Sequence, residues 1–177
     1  MPADDMQQLL MRYDKPLFAV ESKRPLGDFD SLGFSLAYEL GATNVLQMLK
    51  LSKIPLSSKQ RLQEDGEGVW DCESGSHPLI FAGGPTATSN PEPFAEFFDY
   101  FALGDGEELL PEIGHCLRRC KADRLNREDT LFRLATEVKG IYVPMFYDRC
   151  VSSCVFDVLG ELLGLNDGAA LGACDGL

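Results

Sequence analysis

Twice in this chain a four-residue apolar run stops on glycine and gives way to helical spacing. Residues 79–82 (LIFA) run into Gly83-Gly84-Pro85, and residues 100–103 (YFAL) run into Gly104-Asp105-Gly106. A run that short, with no polar face, reads as a strand buried on both sides, and glycine lets the backbone turn sharply out of it. Residues 30–36 (DSLGFSL) read as a third strand. After it, Ala42, Val45, Leu46 and Leu49 fall at i, i+3, i+4 and i+7, the spacing of an amphipathic helix.

The remaining expectations follow the same two periods. Residues 5–13 predict a short helix and residues 17–20 (LFAV) a strand. Residues 57–78 are polar and rich in Gly and Ser, which predicts a long surface loop whose lone Trp70 folds back on the core. Asn90-Pro91 predicts a helix start, with Phe94, Phe97 and Phe98 on its apolar face. Asp105 and Glu108 have capping-box spacing ahead of Leu109, Leu110, Ile113 and Leu117. A further helix is expected near residues 128–138, ended by Gly140, and residues 141–144 (IYVP) read as an edge strand. Strands alternating with helices predict an α/β domain with a mainly parallel sheet. Ligands of such sheets sit beyond the carboxyl ends of the strands. That rule selects the loops after Ser35, Ala82 and Leu103.

Charge excludes several classes of function. Sixteen basic and twenty-eight acidic residues leave a net charge of −12. Residues 62–117 hold twelve acids and no Lys or Arg, so the whole imbalance sits there. Nucleic-acid binding needs clustered cations, which argues against a DNA or RNA role. The locally basic stretch 118–133 reads as a solvated helix face. No apolar run nears the roughly 20 residues of a membrane span, and the N-terminus has no secretory pattern, so the cytoplasm is the expected location. Asp105, Glu107 and Glu108 occupy a helix start and would repel a phosphate there. A nucleotide cradle is therefore not expected.

Six cysteines without a secretory signal are expected to be reduced thiols. Cys116 with Cys120, and Cys150 with Cys154, supply two ligands each, short of the three or four that a metal or cluster site takes. In CVSSCVFD, Asp157 stands where a third cysteine would complete CxxxCxxC. His77 and His115 belong to no catalytic spacing, and no metal or catalytic residue is assigned. The glycine pairs at 83–84 and 104–106 admit either a bound ligand or a tight turn. Ser35 admits either a ligand contact or a bond to its own turn.

The three strand ends, taken in order within PLFAVESKRPLGDFDSLGFSLAYELGATNVLQMLKLSKIPLSSKQR and HPLIFAGGPTATSNPEPFAEFFDYFALGDGEELL, resemble the N-terminal cobalamin-binding-like domain of bacterial radical S-adenosylmethionine proteins. The likeness spans about residues 16–148. It implies a flavodoxin-like domain over residues 1–148, lacking its first strand. In it Ser35, Leu36, Gly83, Gly84, Pro85, Thr86, Gly104, Asp105 and Gly106 face a cobalamin. It also implies a partner barrel whose [4Fe–4S] cluster cleaves S-adenosylmethionine in the full-length parent; the CxxxCxxC for that chemistry is not in this sequence. Residues 149–177 fit no strong pattern and read as an irregular or weakly helical tail, as in a piece of a longer gene. The competing expectation is a cofactor-free acidic domain that docks on a basic protein partner.

Overall fold

The computed structural model describes residues 2–147, and the first of its two units runs from Met1 to Met145. Its elements are α1 (Asp4–Arg12), β1 (Ser31–Ser35), α2 (Gly41–Leu51), α3 (Ser58–Asp65), β2 (Leu79–Gly83), α4 (Pro85–Ser89), β3 (Tyr100–Ala102), α5 (Gly106–Ala122), α6 (Arg127–Glu137) and β4 (Ile141–Tyr142). The four strands form one sheet in the order β1-β2-β3-β4. β1, β2 and β3 run parallel, with Ser31 opposite Leu79 and Phe81 opposite Tyr100, and β4 closes one edge antiparallel. This is the mainly parallel, flavodoxin-like α/β sheet that the sequence predicts.

The two-residue period of the strands sorts the core into two halves. Leu79, Tyr100 and Ala102 turn to one face, where Leu109, Ile113, Cys116, Leu117 and Cys120 of α5 meet Leu131 and Leu134 of α6. Ile80, Ala82 and Phe101 turn to the other, against Val45 and Leu49 of α2 and Ala87 of α4. Burying each large side chain contributes about 1.5–3 kcal/mol, so both faces must be covered for so short a sheet to hold. Trp70 folds onto the first half as expected, donating its indole N–H to the His77 carbonyl at 3.2 Å.

Four expectations are corrected. Residues 17–20 join no sheet. Phe18 only bridges Pro25, Ala19 N–H bonds the Arg24 carbonyl at 2.8 Å, and Val20 is 80% exposed. The supposed loop 57–78 contains α3, a run of good helix formers whose buried residue is Arg61, so no apolar periodicity marks it. At Asn90-Pro91 a helix ends instead of beginning: α4 stops there, and a single 3-10 turn (Glu92–Phe94) follows. Pro91 disfavours helical backbone at Asn90, which is extended (φ −161°, ψ 101°), so α4 ends there. Asp105 does take the N-cap place of α5, but the Leu109 amide bonds its carbonyl oxygen (3.1 Å) and its side chain caps nothing.

The basic stretch also needs correction, because Arg127 is fully buried. Together with Arg61 it encloses Asp99, the residue that leads into β3. Asp99 Oδ2 accepts from Arg127 at 2.8 Å and from the Ile80 amide at 2.6 Å, and lies 3.3 Å from the Arg61 guanidinium. Its Oδ1 accepts from the Ser58 hydroxyl at 2.7 Å. Arg61 also donates to the carbonyls of Pro55, Leu56 and Phe97, and Arg127 to those of His77 and Pro78 and to Asp65. Two cations thus meet two anions inside the protein. Burial pushes the Asp99 carboxyl up, but the charges of Arg127 and Arg61 outweigh it and hold the group below the usual carboxylate range.

Removing one partner of such a cluster leaves an unmatched buried charge, which typically costs about 3–5 kcal/mol. Asp99→Ala should lower urea stability by about that amount. Because the folded-state pKa is depressed, the contribution of Asp99 is complete above the unfolded value near 3.9 and is lost as pH falls below it. Wild type should therefore destabilise more steeply with acid below about pH 4 than Asp99→Ala does. Equal slopes would remove Asp99 from that role.

Candidate functional site

At the opposite end of the sheet, the carboxyl ends of β1, β2 and β3 converge on a cavity of about 380 Å³. Ser35, Gly83, Gly84, Gly104 and Gly106 line it together with Gly33, Phe34, Phe81, Ala102, Leu109 and Leu110. Five of the nine expected site residues therefore share one hollow. Leu36, Pro85, Thr86 and Asp105 do not line it. Leu36 is buried in the core, where its amide donates to the Gly83 carbonyl (2.8 Å) and its carbonyl accepts from the Thr86 amide (3.1 Å). Leu36 and Thr86 thus tie the two loops together. Pro85 opens α4, and Asp105 stands exposed at the head of α5.

Two glycines account for the shape of the hollow. Gly84 has φ +96° and ψ 178°, a backbone region essentially reserved for glycine. A Cβ there would come within 3.1 Å of the Leu36 carbonyl and 3.2 Å of the Ser35 hydroxyl, so the two loops approach as closely as they do because position 84 has no side chain. Gly33 plays the corresponding part on the floor. A Cβ on it would lie 2.4 Å from the Phe81 ring, which instead rests against bare backbone. Phe81 in turn stacks on Tyr100, with centroids 4.9 Å apart and planes 8° from parallel. Gly33, Phe81, Leu109 and Leu110 escaped the sequence reading. Gly33, alone among large residues in DSLGFSL, was the available signal.

The lining is apolar and amide-bearing, and none of its side chains is ionisable. It offers shape, backbone hydrogen bonds, an aromatic floor and the Ser35 hydroxyl, with no ionisable side chain in the lining to act as its base. Neither histidine belongs to it. His77 pairs with Glu64 at 2.8 Å, and His115 on α5 contacts Arg118 at 2.7 Å. Cys116 and Cys120 are buried in the α5 core, where loss of hydration pushes the Cys116 thiol up to about 11. Partial burial likewise takes Cys72 up to about 12. Among the described residues no three His, Cys, Asp or Glu side chains are grouped to hold a metal ion, so they do not fit an iron–sulfur cluster. Cys150, Cys154 and Cys174, like the expected tail 149–177, lie outside the described residues. No helix among the described residues is long and apolar enough to cross a membrane.

Comparison with known proteins places the chain in a family. The model for "Radical SAM proteins, N-terminal" matches residues 1–144, and the chain belongs to that family. No curated protein matches it. No solved structure matches it either.

The glycines differ in what they tolerate. Gly84→Ala should cost about 1–3 kcal/mol, since it forces a side chain into glycine-only backbone and against Leu36. Gly106→Ala, at the first position of α5 where its Cβ would meet only the Leu110 side chain at an ordinary 4.0 Å, should be neutral or slightly stabilising. Urea unfolding of the two variants side by side checks this; comparable losses would mean that the Gly84 backbone is not what shapes the loops.

Proposed function

From its membership of the radical SAM N-terminal family, we propose that this chain is the ligand-binding module of a radical S-adenosylmethionine protein, seating a cobalamin-like macrocycle across the ends of β1, β2 and β3. The observation that carries the reading is the convergence of three glycine-bearing strand ends on one uncharged cavity. At 380 Å³ the cavity is too small to enclose a corrin. It suits one face or edge of a flat ligand lying over it.

In this reading Gly83, Gly84 and Gly104 let the ligand reach the backbone, and Ser35 offers a hydroxyl at the rim. Phe34, Phe81 and Leu110 supply apolar contact, and Leu109 anchors the head of α5 in the core behind it. A bound cobalamin supplies cobalt for alkyl or radical transfer, and the chain's own residues contribute position and the exclusion of water. The chain has two histidines and neither lines the cavity, so a cobalamin seated there would be held by backbone groups, the Ser35 hydroxyl and apolar contacts, and not by an imidazole of this chain. Radical generation belongs to a partner barrel with its own cysteine triad, in keeping with the absence of CxxxCxxC from this sequence.

Mixing the purified protein with hydroxocobalamin, desalting, and recording the visible spectrum tests the assignment. Near-stoichiometric corrin absorbance should elute with the protein, without the spectral change that histidine ligation causes. Leu110→Glu puts a charge on the cavity wall at a half-exposed position and should reduce retention at least tenfold. Leu9→Glu, equally exposed on α1, should not. A folded protein that retains no corrin overturns the reading.

A further inference from the structure

Gly33 breaks a local rule at the cavity floor. It sits in the middle of β1, directly opposite Phe81 of β2. Glycine weakens a strand interior, because it loses more chain entropy on folding than other residues and has no side chain to pack. The backbone does not call for it either: Gly84, Gly104 and Gly140 hold positive φ angles, and Gly33 does not. What position 33 contributes is the lack of a Cβ. A Cβ there would lie 2.4 Å from Cζ of Phe81, and the three nearest atoms all belong to that ring.

The kind of atom that is met decides what yields. At Gly84 the nearest atom is the Leu36 carbonyl oxygen, which moves only if the chain moves. At Gly33 it is the far tip of a ring, which can turn about χ1 into another staggered position. A side chain at 33 is therefore taken up by Phe81 and not by the fold. The surroundings then fix where the ring goes. Tyr100 closes one side, stacked with centroids 4.9 Å apart. Toward the amino ends of the strands, Leu79 is fully buried, and the Ser31 hydroxyl donates to the Leu79 carbonyl at 3.0 Å and lies 3.3 Å from the Tyr100 hydroxyl. Toward the carboxyl ends, the small residues Gly83, Ala102 and Gly104 line the hollow of about 380 Å³. The room is there.

We propose that Gly33 is a positioning residue for the cavity: by lacking a side chain it keeps the Phe81 ring against Tyr100 and clear of the hollow, and a larger residue at 33 turns that ring inward and shuts a ligand out. The effect on a ligand rests on the reading of the hollow as a binding site; the placement of the ring does not. Gly33 acts here through Phe81, so its influence disappears when the ring is removed.

Hydroxocobalamin retention after desalting, measured beside urea unfolding for wild type, Gly33→Ala, Phe81→Leu and the G33A/F81L double variant, tests this. Gly33→Ala should still unfold cooperatively and should lower retention by about tenfold or more. In the Phe81→Leu background, where no ring is left to turn, the same change should alter retention by less than about threefold. Nuclear Overhauser contacts in the ligand-free protein give a second readout. In wild type the Phe81 ring should contact Gly33 and Tyr100, and in Gly33→Ala it should contact the Leu110 methyl groups instead. Equal losses in both backgrounds, a ring that does not move, or a Gly33→Ala chain that does not fold each overturn the proposal. A folded wild type that retains no corrin overturns the cobalamin reading, and the ring contacts alone then decide the role of Gly33.

Discussion

A single carboxylate organises the amino ends of the central strands. Asp99 is buried, yet its carboxylate accepts from a helix hydroxyl, from the Ile80 amide of β2 and from the Arg127 guanidinium, and it pairs with the guanidinium of Arg61. Each guanidinium then reaches on to backbone carbonyls in loops that have little apolar surface of their own: Pro55 and Leu56 before α3, Phe97 before β3, His77 and Pro78 before β2. An ion cluster of this kind contributes little net stability beyond what a well-packed apolar core would supply. What it supplies is specificity. Chain segments far apart in sequence are drawn to one point, and any arrangement that omits one leaves charge unmatched in the interior.

The face that carries the cavity works by the opposite means. It has few side chains and none with charge, and its form comes from what is missing at Gly33 and Gly84. Phe81 connects the two regimes. Its ring lies on Gly33 at the cavity floor and stacks on Tyr100, the first residue after Asp99. The aromatic floor is therefore set by the same strand whose start the charge cluster positions.

Much of the sheet was legible because LIFA and YFAL are short, apolar and end on glycine, which is a local signal, and DSLGFSL precedes a helical stripe. The helices α2, α5 and α6 were legible from their apolar stripes. α3 was not, because the residue it buries is an arginine and hydropathy scores it as surface. Arg127 was misread for the same reason, hidden among basic neighbours that do face water. A clue did exist: an aspartate inside PFAEFFDYFAL, flanked by aromatic residues that must be inside, requires buried cations somewhere else in the chain. At the cavity, the glycine-rich loops were recognisable, and which residues touch the hollow was not. Leu36 and Ser35 are neighbours that point to opposite sides, and only the register of β1 on β2 decides which faces in.

The separation of the charge cluster from the cavity has a consequence for how such a domain can change over generations. Exposed positions at the carboxyl ends of the strands carry little of the burden of holding the fold, so Leu110 and Ser35 on the rim can be rewritten while the scaffold persists. Arg61, Asp99 and Arg127 have no such latitude, since each is matched to the others and a lone replacement strands its partners. Innovation in what the module recognises is thus cheap at one pole, and drift is penalised at the other.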